Sequence, residues 1–116
     1  MQNDVLTNKI APWLEKGRWY HGIFDYAAGN LDRDKTDSYI IDNFTHGPSG
    51  TTRYLVPKRK EIRILNAIFD AYGESSTNTA INLSFRYQTD GVKGVSIGPY
   101  GLTTGIIEFW LFIVEK

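Results

Sequence analysis

Residues 106–114, Ile-Ile-Glu-Phe-Trp-Leu-Phe-Ile-Val, put apolar side chains on both faces of whatever they form. In an extended chain Ile107, Phe109, Leu111 and Ile113 share one face, and Trp110, Phe112 and Val114 share the other. Glu108 interrupts the run, which is too short to span a bilayer as a helix. A strand with two apolar faces belongs either at the centre of a covered sheet or against a partner. The chain has 116 residues, enough for one core and too few for two. A single domain over 1–116 is therefore expected.

The rest of the chain supplies the other elements. Asn3 or Asp4 can cap a first helix with Leu6, Ile10 and Trp13/Leu14 at helical spacing, kinked at Pro12 and stopped at Gly17. From Arg18 to Ala27, Trp19, Tyr20, Ile23, Phe24 and Tyr26 mark a strand. A polar loop leads to a second strand, Ser38–Phe44, and the turn-rich Thr45–Gly50 leads to a third, Thr52–Val56. Beyond Pro57, the residues Ile62, Leu65, Ile68, Phe69 and Tyr72 recur at spacings of three and four. That spacing predicts a helix over Lys58–Tyr72, with Gly73 as its C-cap. Ile81, Leu83, Phe85 and Tyr87 alternate with smaller or polar residues, and Asp90-Gly91 turns this strand into a partner at Val92–Ile97. The order α-β-β-β-α-β-β-β predicts an α+β domain, a mostly antiparallel sheet of about six strands with two helices.

The chemistry on offer is sparse. The chain has no Cys and only two His, which removes disulfides, thiol chemistry and Cys-based metal sites. His46 lies in the Gly-rich turn with Asp42, Ser49, Thr51 and Thr52 nearby, but neither a phosphate-binding loop nor a nucleophile elbow is spelled there. An ordinary surface turn is expected. His21 has only Asp25 at close spacing, short of a metal set. Asp32, Asp34 and Asp37 partly imitate a calcium loop but lack its Gly and its terminal Glu. No catalytic residue, metal or cofactor is therefore expected, and the chain is not expected to be an enzyme.

What the sequence does carry is segregated charge within a net charge of zero. Asp25, Asp32, Asp34, Asp37 and Asp42 crowd one segment, and Arg53, Lys58, Arg59, Lys60 and Arg63 crowd another. Two electrostatic faces orient a charged macromolecule during encounter. The aspartates, with Tyr26 and Tyr100 as aromatic anchors, are the expected protein-binding residues. The basic cluster, placed at the first turn of the expected helix, is an alternative anion site. It would suit a small ligand or a nucleotide.

The second half resembles the YezG-like immunity proteins: a helix over Lys58–Tyr72, then Thr79-Ala80-Ile81-Asn82-Leu83-Ser84-Phe85, the Asp90-Gly91 turn and a final aromatic strand with Trp110. It departs from them at Thr77 and Asn78, where a tryptophan is expected, and in lacking their acidic bias. The resemblance implies neutralisation of a nuclease toxin by direct binding, and carries over no individual residue. A phage-encoded inhibitor of a host defence protein would share these features. No secretory pattern opens the chain, so a cytoplasmic protein with a protein partner is expected, without membrane or nucleic-acid binding, as a monomer or homodimer.

Overall fold

The computed structural model describes residues 16–25, 27–49, 52–72, 80–87, 92–100 and 105–115. Its elements are β1 (Arg18–Asp25), β2 (Asn30–Leu31), α1 (Ser38–Asn43), β3 (Phe44–Ser49), β4 (Thr52–Pro57), β5 (Ile62–Tyr72), β6 (Ala80–Tyr87), β7 (Lys93–Tyr100) and β8 (Ile106–Glu115). They form two four-stranded antiparallel sheets, an upper one ordered β2-β1-β8-β5 and a lower one ordered β3-β4-β7-β6. The expected α+β arrangement with two helices is thus overturned, and the architecture is all-β, with one six-residue helix among the described residues. The expected helix at the N-terminus falls largely on residues 1–15, outside the described residues.

The largest correction is Lys58–Tyr72, which is not a helix. Lys58–Glu61 make a turn, and β5 then runs antiparallel to β8 from Ile62↔Glu115 to Tyr72↔Ile106. A bulge lies between Ile64 and Asn66. Ile62 and Ile64 point inward before it, and the extra residue, Leu65, moves the inward set to Ala67 and Phe69. The residues that imitate a helical stripe therefore mix both faces of one strand: Ile62 and Phe69 point inward, Leu65 sits at the bulge, and Ile68 and Tyr72 lie on the exposed outer face. Pairing with β8 along the whole length then outweighs any local helical preference.

Two shorter readings are corrected as well. Ser38–Asn43 is a helix instead of a strand, because Asp37 closes the turn through its backbone carbonyl to Ile40 and Ile41 N–H, at 3.0 and 3.2 Å. The Asp37 carboxylate meanwhile accepts the His21 backbone N–H at 2.7 Å, which ties α1 to β1 and seats Ile40 in the core. Thr45–Ser49, expected as a turn, is the body of β3 and pairs with β4 through Ser49↔Thr52. Pro48 is tolerated because β3 is an edge strand.

β8 lies inside its sheet between β1 and β5, the first of the two environments open to a strand with two apolar faces. Its inward residues Ile107, Phe109, Leu111 and Ile113 meet Phe24, Leu31, Ile62 and Ile64 of the same sheet and Phe44, Leu55, Val95 and Ile97 of the other, in one buried cluster. Gly22 is required where β1 passes this core: a Cβ there would overlap the Phe109 ring and the Thr36 methyl group. Among the described residues no helix is long and apolar enough to cross a membrane.

Candidate functional site

Of the four edge strands, β2 is two residues long and β3 carries Pro48, both features that discourage further pairing. β5 and β6 have neither feature. Among the described residues, no strand pairs with the outer edge of either. They flank one groove of about 290 Å³, open to solvent and lined by Ala67, Phe69, Leu83, Ser84, Phe85 and Val95.

The groove exists because the two sheets are offset. β5 contacts β7, so β6 projects past the edge of the upper sheet. Leu83 and Phe85 stand opposite Ile97 and Val95, which places them on the inner face that elsewhere forms the core. No described residue covers that face at β6, and both side chains remain 47 % exposed. Ile68 and Tyr72 on the outer face of β5 are 50 and 47 % exposed, so four of the five exposed large apolar residues among those described belong to these two strands. The Lys93 ammonium lies 4.5 Å from the centre of the Phe85 ring, a cation–π contact beside the groove.

A polar ladder crosses the outer face of the upper sheet next to β5. His21 Nε2 pairs with Glu108 Oε2, and the Tyr72 hydroxyl donates to Glu108 Oε1 at 3.3 Å. Partial desolvation, then the Glu108 charge and its hydrogen bond, hold the Tyr72 phenol above its ordinary range. Trp110 tilts against the His21 ring at 5.4 Å. The ladder can orient an imidazole as a base, but no nucleophile or group of three metal-ligating side chains joins it among the described residues.

The structure disperses the expected binding residues. Asp25 Oδ1 accepts the Ala27 and Ala28 N–H groups, Asp32 Oδ1 accepts that of Asp34, and Asp37 holds His21. Two of the five aspartates therefore shape their own turns and Asp37 ties its segment to β1, while Asp34, Asp37 and Asp42 are exposed. Tyr26 and the side chain of Tyr100 lie outside the described residues.

The basic cluster is split too. Arg53 is buried on the inner face of β4, Lys58, Arg59 and Lys60 occupy the turn before β5, and Arg63 is exposed on β5. With no helix there, the anion site loses the N-terminal amides it depended on. Arg59 is instead bound to Glu115 Oε1 at 2.6 Å, which the Tyr39 hydroxyl also reaches at 2.7 Å. Those two donors depress the Glu115 carboxyl, and burial followed by the same carboxylate raises the Tyr39 phenol.

Ile68, Tyr72, Leu83 and Phe85 escaped sequence reasoning because the same apolar pattern describes a covered face and an uncovered one. Only the offset of the sheets separates the two. No protein family, curated protein or solved structure matches this chain.

Proposed function

We propose that this protein is a cytoplasmic inhibitor of the immunity type, which neutralises one protein partner by occupying its surface, without catalysis. The observation that carries this is exposed apolar surface on two edge strands left unpaired among the described residues, with Leu83 and Phe85 in the groove between them and Ile68 and Tyr72 on the outer face of β5. Covering the exposed part of each is worth about 1 kcal/mol, half the value of full burial. Apolar anchors gathered in this way are a feature of interface centres. A nuclease toxin is the partner class implied by the strand portion of the YezG-like resemblance. The helix of that resemblance is absent, and β5 stands in its place.

Co-expression with a nuclease toxin encoded beside its gene tests the proposal. The wild-type chain should protect growth, and the folded Leu83→Ser/Phe85→Ser variant should not. A His21→Gln/His46→Gln variant should protect as well as the wild type. The reverse pattern, with the folded His variant inactive and the edge variant protective, would replace binding by catalysis.

A further inference from the structure

We infer that the partner is held by strand addition: an extended segment of the partner pairs antiparallel with β5 along Asn66–Tyr72 and lies over Leu83 and Phe85. This rests on the binding function proposed above and specifies how that binding is made. After the bulge, β5 is a regular strand paired with β8 at every position from Asn66↔Phe112 to Tyr72↔Ile106. Its other edge is unpaired among the described residues, and the stretch Asn66–Tyr72 contains neither Pro nor Lys. Edges left long and regular are templates for another strand.

The sheet offset supplies the second, independent argument. β5 contacts β7, so a strand added to β5 comes to rest over β6, whose inner face no described residue covers. Its inward side chains then bury Leu83 and Phe85 as Phe69 and Ala67 help bury Val95. Successive inward positions alternate along a strand, so the segment must carry apolar residues at every second position. Lys93, beside Phe85 on the same side of the groove, selects a carboxylate among them. The outer residues Arg63 and Asp70 stand near opposite ends of β5 and favour an acidic C-terminal half in an antiparallel segment.

A second copy of this chain does not fit. Joining two β5 edges about a twofold axis drives each projecting β6 under the other's β5, where that copy's β7 already lies. The occupant is a single strand free of a second layer, as in an extended loop or terminus.

Amide hydrogen exchange on the full chain decides the matter, with a panel of capped heptapeptides as probes. Each peptide has valine at alternate positions, glutamate replacing one of them, and threonine between. In the free protein, the outward-pointing amides of Asn66–Tyr72 should exchange freely. The best peptide should protect alternate β5 amides. Substituting proline at the centre of that peptide should weaken binding about tenfold, the cost of a lost backbone hydrogen bond and the distortion around it. Lys93→Glu should reverse the preference for glutamate over lysine in the peptide. Several outcomes would overturn strand addition. One is β5 amides already protected in the free monomer, meaning that the chain's own residues fill the edge. Another is protection that appears only on self-association, and a third is no alternating protection with any peptide at millimolar concentration. A chain that still neutralises its toxin without β5 protection retains the proposed function and loses only this mode of binding.

Discussion

His46 shows how a residue acquires its chemistry from the fold. It points inward from β3, and its Nδ1 lies 3.1 Å from Asn30 Oδ1 on β2, so the pair links the two sheets at the closed end of the sandwich. Burial first, then the charges of Arg33 and Lys58, lower its pKa from the ordinary 6.5. The folded state therefore binds this proton less readily than the unfolded chain does. Its contribution to stability is complete above pH 6.5 and is lost as pH falls through the lower folded value. An imidazole titration followed by NMR should have its midpoint below 6.5. The stability of His46→Gln should vary less across that acid range than that of the wild type; a parallel pair of curves would mean that His46 is not the group responsible. None of this could be read from the sequence, where His46 was expected in a surface turn. Its partner lies 16 residues away, and the Glu108 that meets His21 lies 87 away, on strands whose register no local pattern specifies.

At the scale of elements, the strands with undisturbed alternation were legible: β1, β6 and most of β7 and β8 fall where aromatic and branched residues indicated. Those that failed did so for identifiable reasons. β5 has apolar residues on both faces about a bulge, α1 is too short to display a helical period, and β3 contains the Gly47-Pro48 pair that ordinarily breaks structure. The candidate groove inherits the first of these errors, since reading Ile68 and Tyr72 as a buried helical stripe conceals an edge. Two substitutions separate the alternatives. Ile64 is fully buried, so Ile64→Ala should cost about 2–5 kcal/mol of stability. Leu65, half-buried at the bulge, should cost less, about 1–2 kcal/mol on truncation to Ala. Denaturant unfolding measures both. A larger loss at Leu65 than at Ile64 would restore the helical phase.

The lower sheet joins two sequential hairpins through the long-range pairing of β4 with β7, and the upper sheet is built mostly from long-range pairings. β3 with β4 and β6 with β7 are sequential neighbours within the lower sheet. In the upper sheet β8 must insert between β1 and β5, pairing Arg18 with Ile113 at one end of the register. Closing so long a loop costs conformational entropy before any contact offsets it. Topologies dominated by such pairings fold in roughly milliseconds to seconds, not microseconds. The two hairpins should therefore form first and the upper sheet last, bringing β5 into place and completing the groove in the same late step. Pulse-labelling hydrogen exchange during refolding tests this order: amides of β4 and β7 should gain protection before those of β1 and β8. Simultaneous protection of all four within the first millisecond would contradict it. Earlier protection of β8 would mean that its two apolar faces nucleate the fold, with the hairpins assembling on a sheet already formed.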